Sequence, residues 1–137
     1  MYIRFVCGFE HPYADAELGI FFAIDLIDFE DQPQWLIREF NRAYRDLPAL
    51  GVPRCVGYSS GTRDGRRALC WLRSQSRDHV AALRHLGWAI TELGVPIAEI
   101  STHNPGHIIH RDENQVVALP QGGLPRAFAR RPRKKPL

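Results

Sequence analysis

Hydrophobic and polar positions along the 137-residue chain fall into blocks of different period. Residues 2–9 form a run of aromatic, β-branched and thiol side chains that reads as a first strand, and His11-Pro12-Tyr13 breaks it. Farther on, Leu36, Phe40, Ala43, Tyr44 and Leu47 recur at helical spacing, with Arg38, Arg42 and Arg45 facing away from them. That stripe predicts an amphipathic helix over 33–47, opened by Pro33, whose missing N–H costs nothing in a first turn, and closed by Pro48. A second stripe, Val80, Leu83, Leu86, Gly87, Ile90 and Leu93, predicts a helix over 77–93. Ser76 stands at its N-cap, and Gly94-Val95-Pro96 supplies a left-handed residue, an apolar follower and a proline at its end. Residues 68–73 and 97–102 read as strands. Pro105-Gly106 then turns the chain into a hairpin, 107–111 joined to 115–119 through Asp112-Glu113-Asn114, with Asn114 suited to the left-handed residue of such a loop. Residues 17–28 fit either helix or strand, and the spacing of Ile20, Ile24 and Ile27 favours helix.

The resulting order is strand, helix, helix, strand, helix, strand, strand. It predicts an α+β domain with about four strands in a mixed sheet and two to three helices packed on one face. The strand–helix–strand unit over 68–102 would be parallel and right-handed if its strands share a sheet. The single domain is expected over 1–122. Residues 123–137 are mainly Gly, Pro, Ala and cations, and read as a disordered basic tail.

Charge sharpens that division. Arg126, Arg130, Arg131, Arg133, Lys134 and Lys135 are unaccompanied by acids, so residues 1–125 hold twelve cations against fifteen acids, a formal −3. A basic pI therefore gives no argument for nucleic-acid binding by the folded body, and any such binding falls to the six tail cations. Cys7, Cys55 and Cys70 lack metal-ligand spacing, and Cys7 and Cys70 sit in apolar runs; three unpaired buried thiols and a cytoplasmic setting are expected. The longest apolar run, 18–24, is too short to span a membrane, and the first residues read as a strand rather than a leader.

Leu69-Cys70-Trp71-Leu72, Gly94-Val95-Pro96, Pro105-Gly106, Ile108-Ile109, Asp112, Gln115-Val116-Val117-Ala118 and Pro120 together resemble a group of small bacterial proteins without an assigned activity. The likeness spans about half the chain and implies a bacterial, cytoplasmic protein. His110 departs from it, where an aromatic such as Tyr is expected.

Candidate chemistry is sparse. Gly57-Tyr58-Ser59-Ser60-Gly61 matches the spacing of a nucleophile elbow, but no helix follows it to lift the serine. The same loop, Ser59 and Ser60 with Arg63, Arg66 and Arg67, has the donors for an anion site. His103, His107 and His110 cluster near Pro105-Gly106, yet 107 and 110 point to opposite faces of a strand, so no metal site and no cofactor are expected. Trp35, Trp71 and Trp88 read most simply as core, and an exposed Trp35 would mark a partner surface. With no set of residues meeting the geometry of an active site, the sequence points to a non-enzymatic interaction or regulatory protein that binds another macromolecule, a protein partner or its own copy. The alternatives are a nucleic-acid accessory protein with weak, non-specific tail contacts, and a small hydrolase or transferase using the 59–67 loop.

Overall fold

In the computed structural model, residues 1–48 and 66–129 are described. Among these residues six strands and three helices succeed one another: β1 (Tyr2–Glu10), β2 (Glu17–Gly19), α1 (Ile20–Ile24), α2 (Gln34–Arg45), β3 (Leu69–Arg73), α3 (Arg77–Glu92), β4 (Ile97–Thr102), β5 (His107–Arg111) and β6 (Gln115–Leu119). The class is α+β, with six strands where about four were expected. Both arms of the 107–119 hairpin are full members of the sheet, and Glu17–Gly19 adds a short strand at the start of a segment that favoured helix. The five-residue α1 follows directly, so both readings of 17–28 contribute to the chain path.

Every pairing among the described residues is antiparallel, which replaces the mixed sheet. β3 and β4 run parallel to one another, but only because each lies antiparallel to β1, which separates them. The 69–102 unit is thus a split strand–helix–strand crossover, and the N-terminal strand occupies its middle.

That central position explains the composition of β1. β4 pairs with one of its edges from Tyr2 to Cys7, and side chains alternate between two buried layers. Ile3, Phe5 and Cys7 join Leu36, Phe40, Leu83, Leu86 and Ile90 in a core under α2 and α3. Val6 enters a second cluster with Leu69, Trp71, Ile100 and Val116 on the opposite face, where Leu124 and Phe128 also pack.

The two long helices form within the expected ranges, with one difference at the cap. Ser76 occupies the N-cap of α3 but makes no capping hydrogen bond. Its hydroxyl instead donates to Asn114 Oδ1 at 3.0 Å, which ties the helix start to the β5–β6 loop. At the other end Gly94 (φ +107°) turns left-handed, Val95 N–H donates to Ile90 O and Gly94 N–H to Thr91 O, the paired bonds that satisfy terminal carbonyls. Asn114 does not take the left-handed role: Asp31 is the single non-glycine at positive φ among the described residues. The β5–β6 loop is held instead by the Asp112 carboxylate, which accepts the N–H groups of Asn114 and Gln115.

Residues 124–128, assigned to the tail by composition, lie against the body. Arg126 pairs with Glu10 and, at 3.4 Å, with Asp15, while the Glu17 carboxylate accepts the N–H groups of Ala127 and Phe128. The Phe128 ring rests on Gly8. This strap helps cover the sheet face that the helices leave open.

Candidate functional site

The second edge of β1 is shared. β3 pairs with its first residues, Tyr2 and Ile3, and β2 takes over at Val6 and Glu10. Arg4 and Phe5 fall between the two partners. β2 is short because α1 begins at Ile20, and β3 ends its pairing with β1 at Ile3, so the sheet forks at this point. A cavity of about 250 Å³ opens in the fork, walled by Phe5, Leu18, Ile20, Leu69 and Leu72 among others.

Four polar groups line this apolar space: Arg4, Trp71, His11 and Gln115. Arg4 is 8% exposed, and its guanidinium carbon lies 6.0 Å from the centroid of the Trp71 ring, itself 1% exposed. Arg4 Nη1 and Trp71 Nε1 are both buried without a hydrogen-bond partner among the described residues. Each is a donor with no accepting capacity. Burial lowers the Arg4 guanidinium to about 10, a fall that the nearby Glu17 charge partly opposes. The two Glu17 oxygens accept the strap N–H groups of Ala127 and Phe128, and its charge reaches Arg4 without an ion pair.

His11 is held below its ordinary value by burial first and by the Arg4 charge second, so its ring is neutral near pH 7. Tyr13 N–H donates to His11 Nδ1, leaving Nε2 to carry the proton. Gln115 is committed elsewhere, donating to Asp112 Oδ2 at 3.0 Å. The Arg4 and Trp71 side chains thus both border this pocket, and each keeps one buried N–H that no described group accepts, which costs free energy.

The residues singled out from sequence are placed differently. Ser59, Ser60 and Arg63 lie outside the described residues, as do Arg130, Arg131, Arg133, Lys134 and Lys135. Arg66 stacks over the Tyr13 ring at 5.7 Å, and Arg67 is half-buried just before β3. Arg126 departs from the other tail cations, being paired with Glu10 and Asp15 and largely covered. His110 bonds Asp112 at 3.1 Å, and no group of three His, Cys, Asp or Glu side chains converges for a metal among the described residues.

Two further expectations are corrected. Trp71 is core, but Trp35 is 56% exposed and Trp88 44% exposed, because each stands on the outer side of its helix. Cys7 is a free buried thiol, pushed up by burial, whereas Cys70 is disulfide-bonded to a partner outside the described residues. Cys70 is only half-buried at the cavity wall, so its sulfur is within reach of another thiol, as that of Cys7 is not.

Sequence reasoning passed over Arg4. Its signal was one of parity: a lone cation alternates with Ile3 and Phe5 on a strand whose other neighbours are apolar on both faces. Such a strand has no solvated side on which to place an arginine. No helix among the described residues is long and apolar enough to cross a membrane. Compared with known proteins, the chain matches no family model, no curated protein and no solved structure. The resemblance of its C-terminal half therefore rests on its own residues.

Proposed function

We propose that the chain is a small-molecule-binding module whose site is the fork cavity. The observation that carries this reading is the Arg4 guanidinium, more than nine-tenths buried with one nitrogen unpartnered, at the wall of a largely apolar space. Buried charges in proteins are paired or neutralised, and sites that leave them waiting are where ligands bind. The cavity lies just under the volume range typical of drug-sized ligands, which suits a smaller molecule. Saturation-transfer NMR with a set of small acids, amines and neutral fragments tests the reading. Several fragments should bind and compete with one another for a single site; a set in which none binds would reject it.

A second reading, binding of a protein partner or a second copy, draws support from exposed aromatics on the helical layer. Trp35, Tyr44 and Trp88 all lie outside the core, and His85 stacks on Trp88 at 5.7 Å. Large aromatics are the side chains that anchor interfaces. Sedimentation of the wild type and a Trp35→Ser, Trp88→Ser variant tests self-association. Loss of a dimer in the variant would favour it, and a monomeric wild type would remove that form of it.

Weak nucleic-acid binding is left to the five cations beyond Arg126, and an anion site at 59–67 keeps Arg66 and Arg67 as its described cations. A setting is part of the proposal as well. Three free thiols would fit the cytoplasm, whereas the Cys70 disulfide is a bond that oxidising compartments keep.

A further inference from the structure

β4 is an edge of the sheet. It pairs only with β1 among the described residues, in an unbroken ladder from Thr102 opposite Tyr2 to Ile97 opposite Cys7. The Ile97 N–H is taken by the Thr91 hydroxyl at 3.0 Å, which puts the backbone groups of Ile97 on the side of β4 away from β1. Successive strand residues turn their N–H and C=O groups to alternate edges, so those of Glu99 and Ser101 face outward as well. Edges that stay single carry guards: few residues, a break in register, a proline or an unanswered charge. β2 is three residues long, and β5 breaks register between Ile108 and His110. β4 has none of these guards. Its six residues include no proline, and its one charge, Glu99, is already held by Arg84 Nε and Nη2 at 2.9 and 3.1 Å. Beside it on α3, Trp88 is 44% exposed and borders a hollow of about 230 Å³ with Thr91, Ile97 and Ala98.

We propose that β4 pairs antiparallel with β4 of a second copy, about a two-fold axis at Ile100, to make one continuous sheet. This rests on the reading of the chain as self-associating through its exposed aromatics, and goes beyond it in fixing the strand and the register. Directly opposed residues share a face of the sheet, so the axis of fullest overlap passes through Glu99 or Ile100. Through Glu99 it would set two carboxylates against each other. Through Ile100 it sets Glu99 against Ser101 of the second copy, and these residues exchange their outward backbone bonds. A two-fold axis normal to the sheet keeps the helices of both copies on one side, with Trp88 of each flanking the junction. A second copy fits better than a foreign strand. Its edge repeats the same outward donors and acceptors, and Arg84 has already answered the one charge that would repel it.

Sedimentation equilibrium of the full chain, with its disulfide intact, should show a reversible dimer across the micromolar range. Ser101→Pro removes an outward N–H without touching the β1 ladder, so it should leave the monomer folded and weaken the dimer at least tenfold. Ser101→Glu, opposite Glu99 of the second copy, should weaken the dimer, and Ser101→Lys should not. Hydrogen exchange on the wild type stands even if the proline variant fails to fold. The Glu99 and Ser101 amides should be protected in the dimer and should exchange freely once dilution dissociates it. A dimer in which those amides exchange freely, or one indifferent to Ser101→Pro, would overturn the edge assignment and leave self-association in place. Protection of the same amides in a monomer would mean that the edge is covered from within the chain, and would overturn the proposal too. An unprotected monomer throughout would overturn both the proposal and the second-copy reading.

Discussion

Replacing Arg4 with Met should make the unliganded protein more stable, although it removes a side chain that is almost wholly buried. The fold holds this guanidinium at about 10, well below its ordinary value, chiefly through burial. At about 1.4 kcal/mol per pH unit, keeping the charge costs about 3 kcal/mol. The sign follows from the direction: the folded-state value is the lower one, so the cost applies in full below about pH 10. It is relieved only as pH rises above about 10 toward the ordinary guanidinium value. Met keeps the length of the stem and adapts to irregular space. It forfeits the contact with the Trp71 ring at 6.0 Å, worth about 1–2 kcal/mol when shielded from water. The balance is a gain of about 1–2 kcal/mol, consistent with the effect of exchanging buried charges for apolar side chains. For a chain of this length the melting temperature should rise by roughly 3–8 °C. Urea unfolding at pH 7 under non-reducing conditions reads the same difference as a raised midpoint with an unchanged slope. A loss of about 1 kcal/mol or more would refute the reasoning, because it would mean that Arg4 is satisfied inside the fold and serves to hold it together.

Four further outcomes follow from the packing. Gly106→Ala should cost about 2–4 kcal/mol, since Gly106 has φ +109° and an added Cβ would meet the Leu119 carbonyl oxygen at 2.1 Å; hydrogen exchange should show the β5–β6 hairpin loosened. Arg126→Ala should cost about 1–3 kcal/mol in urea unfolding, by leaving Glu10 half-buried without its partner, whereas truncation after Ala129 should leave stability nearly unchanged. For Asp112, burial alone would raise the carboxyl, but hydrogen bonds from Asn114, His110 and Gln115 outweigh it and hold the group below 3.8. Its contribution is therefore present above that value and lost as pH falls through the lower folded-state value, so the deficit of Asp112→Asn relative to wild type should shrink in that acid range. Alkylation of the unfolded, unreduced chain should label one thiol, and reduction should raise the count to three.

The parts of the fold legible in the sequence are those set by local period and local caps. The stripes of α2 and α3 report which face each helix buries, and Gly94-Val95-Pro96 encodes its own turn through bonds only a few residues long. The sheet was less legible because its strands are paired at long range. Nothing near Tyr2 announces that β1 will lie between β3 and β4, and that placement makes every pairing antiparallel. The strap was hidden by composition: 123–129 looks unable to bury a face, yet Arg126 and Phe128 find partners prepared by Glu10, Asp15 and Gly8. The candidate site was the least legible part. It arises where two short strands fail to meet along an edge, and no residue type marks such a gap. Only Arg4, a cation on a doubly buried strand, hints at it.

The indole N–H resonances of Trp35, Trp71 and Trp88 provide the most direct measurement of whether the fork cavity is a ligand site. In the ¹H–¹⁵N spectrum the three signals can be assigned by single Trp→Phe substitutions and followed as a fragment found by saturation transfer is added. An occupant of the cavity should shift the signal of Trp71, which lines it, in a saturable way and leave the exposed Trp35 and Trp88 signals in place. A Trp71 signal unmoved at saturating fragment, or a shift confined to Trp35 or Trp88, would contradict the account.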